Sequence, residues 1–322
     1  MPPPEPKKPG LKAIHDLRDQ RARGKFKRGS PNFWLMSAAT LVVILLGYRF
    51  FAMRRLGGDK DVLLARQRAV QATVGVEWAK VRDQIERFTV DSAGPWPGDW
   101  KDATAGDWDF RNVPGVYLRL RVTEAGEVNR MRKAAQDSLR DGFVACFLRE
   151  PNAAGARGEV DGGVFPEQPW NLRQAYAATR ILTDDWVNEV HESGDDLRLH
   201  VFEQQYRKAV NNEIPLAIEI IKRAQFFLLV LDEDTPEAAA LTDGGAITSD
   251  ILQMVPHDAR VSILNLRNGN PIVRFRRRGN ATAVPAGERA INDPEIANAV
   301  KRQVNNCSLA MEVSAAIGFH PK

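Results

Sequence analysis

The chain has 322 residues, with 45 Lys and Arg against 41 Asp and Glu, a net charge of +4. The charge is uneven: residues 1–32 hold nine basic and three acidic groups, Arg49, Arg54 and Arg55 add three positive charges, and residues 56–322 are left at −5. An acidic body excludes nucleic-acid binding as the main task, and two cysteines exclude a disulfide-rich scaffold or a cysteine-rich zinc site.

Residues 1–32 open with MPPPEPKKPG, show no apolar periodicity and read as a disordered basic tail. Residues 33–53, FWLMSAATLVVILLGYRFFAM, follow. A hydrocarbon core of about 30 Å needs roughly 20 apolar residues, and this stretch has that length. Trp34 and Tyr48 stand near its ends, as interfacial rings do. Arg49 is close enough to the end to snorkel, and Arg54 and Arg55 complete the anchor. The basic leader is too long for a signal peptide, and no small-x-small site follows the apolar core. The reading is a transmembrane helix. The Lys/Arg bias puts the N-terminus in the cytoplasm and the C-terminal body outside an inner membrane, in the periplasm.

Residues 57–90 form an amphipathic stalk helix. Val74, Trp78, Val81, Ile85 and Phe88 recur at spacings of four, three, four and three, an a/d seam. The seam fits a coiled coil, through self-association or another envelope protein, or a helix packed on its own domain.

Residues 91–322 read as a mixed α/β (α+β) body. GPWPGDWKDATAGDWDFRNVPG, 94–115, is a loop with Trp96, Trp100 and Trp108, rings suited either to sugar stacking in a cell-wall polymer or to capping a core. Residues 116–122 alternate as a half-buried strand, a helix is expected from Thr123 to about Arg140, and Phe143–Leu148 reads as a central strand. Residues 151–170 are rich in Gly, Pro and Ala and mark an internal boundary. Helices follow, with Gly194 as a stop, Asp195 as a new cap and a restart at Pro215. FFLLVLD, 226–232, is a buried strand. Residues 262–278 form a hairpin about Asn268–Gly269, with Leu264, Leu266, Val273 and Phe275 on one face and a basic face of Arg274, Arg276 and Arg278 on the other. A helix closes the chain from Asp293–Pro294 to about Val313.

Cys146 on that expected strand and Cys307 on that helix would be held about 10 Å apart, beyond the ~7 Å that a bridge tolerates. A periplasmic body leaves a disulfide open, but two buried thiols are the expectation.

The best chemical candidate is LVLDEDTPE, 229–237. Asp232 and Asp234 follow a buried strand, where open α/β sheets place ligands, and a D-x-D pair suits Mg²⁺. The stretch comes near the D-x-D-x-Thr motif of haloacid dehalogenases, but Pro236 stands where Thr belongs. The five histidines make no H-x-x-x-H pair, and no P-loop, G-x-G-x-x-G or G-x-S-x-G occurs. No cofactor is expected. The leading expectation is a single-pass envelope protein that acts through protein contacts. A membrane-tethered metal-dependent hydrolase using Asp232 and Asp234 is the alternative, and a cell-wall binding module using the tryptophan loop is a third.

Overall fold

A computed structural model describes residues 31–138, 141–148, 169–242, 244–280 and 293–318. The expected tail and most of the 151–170 boundary lie outside these residues. The chain divides into two compact units, up to Asp59 and from Lys60 onward.

Helix α1 runs from Pro31 to Ala93. In the first unit, every large apolar side chain from Trp34 to Met53 is more than half exposed. No core covers them, so propensity alone does not account for this surface. Thr40 donates to the Met36 carbonyl at 2.9 Å, which satisfies the hydroxyl within the helix. One helix among the described residues is thus long and apolar enough to cross a membrane.

The second unit is built on a six-stranded mixed sheet. Its strands are β1 (Trp100–Lys101), β2 (Gly115–Arg121), β3 (Trp170–Asn171), β4 (Phe226–Asp232), β5 (His257–Asn265) and β6 (Pro271–Gly279). The order across the sheet is β1-β6-β5-β4-β2-β3. β2 is parallel to both β3 and β4; the β4–β5, β5–β6 and β6–β1 pairs are antiparallel. FFLLVLD is apolar throughout because β4 is central and covered on both faces. Phe226, Leu228 and Val230 face one layer and Phe227, Leu229 and Leu231 the other.

Helices α2 (Val122–Ala125), α3 (Val128–Asp137), α5 (Arg173–Thr179) and α8 (Ile214–Arg223) lie on the connections around β2 and β4. Met131, Ala135, Tyr176, Ala217 and Ile221 cover one face of the sheet with Trp78 and Ile85 of α1. The other face is covered by α4 (Gly142–Phe147) and the closing helix α11 (Pro294–Ile317), through Phe143, Phe147, Leu309, Ala310, Val313 and Ile317. Outside these layers, α6 (Asp184–Glu192) and α7 (Asp196–Lys208) pair through Trp186 and Phe202, whose rings meet edge to face at 5.8 Å. Asp195 caps α7 by accepting from the Arg198 amide at 2.7 Å, and Pro215 opens α8 after a π turn over Ala209–Glu213, both as expected.

Several expectations are corrected. Where a strand was expected over 143–148, Gly142–Phe147 form helix α4, with Leu148 as its C-cap. Asp141 accepts from the Phe143 amide at 2.8 Å and caps the turn, and i,i+4 spacing puts Phe143 and Phe147 on the core together. The long parallel partner of β2 is β4 instead. β2 is buried on both faces rather than half-buried, apart from Arg121. The expected helix from Thr123 begins one residue earlier, with Glu124 accepting from the Arg121 amide at 3.0 Å, and it breaks between Ala125 and Val128. The Asn268–Gly269 turn is present, with Gly269 at φ +76°. A register shift between Ile263 and Leu264, however, puts Leu264 on the face opposite Val273 and Phe275, with Leu266 packed beside it.

The cysteines are also corrected. Cys146 and Cys307 form a disulfide, with Cα atoms 5.0 Å apart. Both lie on helices, α4 and α11, that pack directly on each other, so the strand-to-helix spacing does not apply.

Candidate functional site

The carboxyl ends of the two central parallel strands carry the chemistry-bearing groups, where such sheets hold ligands. Alternation along VYLRLR puts Tyr117, Arg119 and Arg121 on one face. That face meets α4 and α11 rather than water, so Arg119 is only 4 % exposed. Asp232 ends β4 and is fully buried. Arg119 Nε donates to Asp232 Oδ2 at 2.7 Å and Nη2 to Oδ1 at 2.8 Å, a bidentate pair. Arg119 Nη1 donates to Asn306 Oδ1 at 2.7 Å and to Asp141 Oδ2 at 3.1 Å. Tyr117 donates to the same Asp141 oxygen at 2.7 Å.

His257 completes the cage from β5. Its Nε2 lies 3.1 Å from Asp232 Oδ1 and its Nδ1 lies 2.8 Å from the Val255 carbonyl. The same Nε2 also lies 3.5 Å from Arg119 Nη2. Ser138 Oγ donates to the Arg119 carbonyl at 3.0 Å, and Asn306 Nδ2 to Gln253 Oε1 at 3.1 Å.

The electrostatics follow from this packing. Burial works to raise the Asp232 pKa, but Arg119 and His257 overcome it and hold the carboxyl well below the usual carboxylate range. Burial likewise works against the Arg119 charge, and Asp232 and Asp141 more than offset it, so the guanidinium is raised well above its ordinary value. The Tyr117 phenol is pushed well up by burial and by Asp141.

Asp234, two residues beyond Asp232, belongs to a different cluster. It is partly exposed, 3.4 Å from Arg121 Nη1, and accepts from Thr123 Oγ1 at 3.3 Å. The D-x-D pair therefore does not converge: one carboxylate is committed to Arg119 within the sheet and the other to Arg121 at its rim. No group of His, Cys, Asp or Glu among the described residues is arranged to hold a metal ion. This argues against the metal-dependent hydrolase alternative. Pro236 has a local role, opening the short helix α9 (Pro236–Ala240), which Thr235 caps by accepting from the Ala238 amide at 3.2 Å.

Over the same edge lies a groove of about 580 Å³, lined among others by Arg119, Arg121, Thr123, Lys133, Asp137 and Gln253 and by Thr248, which caps the short helix α10 (Ser249–Leu252). Its walls carry charges of both signs.

The other sequence-derived residues are dispersed. Trp78 and Ile85 are buried in the body's own core; Trp78 meets Tyr176 edge to face at 5.4 Å, and Phe88 meets Phe227 at 6.1 Å. Val81 packs half-buried on the same cluster, and Val74 is half-buried. The seam is thus used inside the chain. The basic face is paired internally: Arg276 with Glu233 at 2.5 Å and Asp258 at 3.2 Å, Arg278 with Asp258 at 3.7 Å, and Arg274 with the Gly98 carbonyl at 3.0 Å. The three loop tryptophans share no platform. Trp96 sits by Arg260 and Arg274, Trp108 stacks on Phe110, and Trp100 is on the edge strand β1.

Arg119, Asp141, His257 and Asn306 went unseen in the sequence. They come from four separate segments, and no spacing links them. The one available signal was Arg119 between two leucines within strand β2. No protein-family model, curated protein or solved structure matches this chain, so the functional reading rests on its own geometry.

Proposed function

We propose that the protein is a single-pass inner-membrane protein with a cytoplasmic N-terminus and a periplasmic body, acting in the cell envelope as a structural or assembly component through protein contacts. The observation that carries this is the Cys146–Cys307 disulfide in a chain whose preceding helix is apolar and uncovered. Disulfides persist in oxidising compartments and are rare in the cytosol. The Lys/Arg excess in residues 1–32 favours the same orientation. At the sheet's carboxyl edge, the buried charges are committed to one another, Asp232 to Arg119 and His257, which favours a rigid scaffold.

In this reading α7 offers an exposed apolar pair, Leu197 and Val201, one turn apart. Photo-cross-linking from these positions in intact cells, read on gels with the full-length chain, tests it. Discrete adducts with an envelope protein or with a second copy are expected. A chain that yields no adduct and runs as a monomer from mild detergent overturns the reading.

A further inference from the structure

The disulfide joins the two elements that supply the polar partners of one Arg119 nitrogen. Asp141 caps α4, five residues before Cys146, and Asn306 immediately precedes Cys307 on α11. Both reach Arg119 Nη1, at 3.1 and 2.7 Å. The other contacts of the guanidinium, two to Asp232 and one of 3.5 Å to His257 Nε2, come from the sheet and owe nothing to the bridge.

Helix α4 has six residues, far too few to persist by propensity alone. It is held by the Asp141 cap, by Phe143 and Phe147 against α11, by Arg111 donating to the Leu148 carbonyl, and by the bridge. Both cysteines are half-buried rather than enclosed in the core.

We infer that the Cys146–Cys307 bridge is a redox clasp on the Arg119 cage: closed, it seats Asp141 and Asn306 on the guanidinium, and opened by a dithiol it frees α4 and leaves Arg119 held by the sheet alone. In the opening step one thiolate of the dithiol attacks a bridge sulfur, forming a mixed disulfide and expelling the other cysteine as thiolate. The second thiolate of the reductant then displaces the first cysteine. Two electrons and two protons end on Cys146 and Cys307, and the reductant leaves as its cyclic disulfide. Arg119 is also one of the residues that line the groove beside the end of β2, so a change in the cage reaches that groove. This rests on the bridge and the cage, not on the membrane orientation.

The test is hydrogen exchange on the full-length chain in detergent, oxidised, reduced with dithiothreitol, and as the double variant Cys146→Ser with Cys307→Ser. Reduction is expected to speed exchange in residues 141–148 by about tenfold or more, with β4 unchanged, as for a locally opening unit. The double variant is expected to match the reduced protein, and reoxidation of the wild type to restore protection. Unchanged exchange in 141–148 on reduction overturns the clasp. An equal rise in β4 also overturns it, because the bridge would then be a global staple. Should the double variant fail to fold, reduction and reoxidation of the folded wild type give the same reading.

Discussion

Arg119 and Asp232 meet across the two central parallel strands through hydrogen bonds of 2.7 and 2.8 Å, with the arginine 4 % exposed and the aspartate fully buried. Removing Asp232 takes away the bidentate partner of Arg119 and leaves Asp141, at 3.1 Å, as its remaining carboxylate in the core. Asp232→Asn is therefore expected to destabilise the body by about 3–5 kcal/mol, the usual range for breaking a buried pair. Replacing both, as Arg119→Met with Asp232→Leu, is expected to recover part of that loss, the remainder reflecting Asp141 left without its guanidinium. Guanidinium unfolding of the two variants checks this; a double variant no better than the single one would refute the account.

The same carboxyl sets an acid response. In the unfolded chain it takes up its proton near pH 3.9; in the folded chain, held low by Arg119 and His257, it does so only far below that. The unfolded state thus binds more protons across this interval, so the stabilisation is fully present above about pH 4 and is lost as pH falls further. Unfolding free energy measured between pH 7 and pH 2 is expected to fall more steeply for the wild type than for Asp232→Asn. Equal acid slopes would show that Asp232 is not the linked group.

Trp78 decides how α1 is used after residue 60. It is 3 % exposed and meets Tyr176 edge to face. Trp78→Ala is expected to cost about 3–5 kcal/mol by transfer and cavity terms. Val81→Asp, which puts a charge against the same cluster, is expected to lower the melting temperature of the body, measured by circular dichroism. If either variant leaves the melting point unchanged and alters only the oligomeric state, the seam works between chains.

Orientation is read by fusions. A reporter active only outside the cytoplasm is expected to be active when joined after Lys322 and inactive when joined before Phe33. The reverse pattern would invert the proposed topology.

Much of the architecture was legible in the sequence because it depends on local periodicity. The apolar stretch 33–53, the continuous run FFLLVLD and the turn at Asn268–Gly269 each carry their signal within a few neighbouring residues. Gly269 takes its positive φ because the turn needs one, and β4 is apolar on both faces because both are covered.

What only the tertiary structure decided was who covers whom. The alternation in β2 correctly put Tyr117, Arg119 and Arg121 on one face, but a polar face reads as solvent until α4 and α11 are seen lying on it. The run FVACFL has no strong periodicity in six residues, so strand and helix were indistinguishable until the Asp141 cap and the packing on α11 chose the helix. That choice also brought Cys146 and Cys307 within bridging distance. The cage around Arg119 draws on residues 117, 141, 232, 257 and 306. Buried charges need partners wherever the fold supplies them, and those partners obey no spacing along the chain.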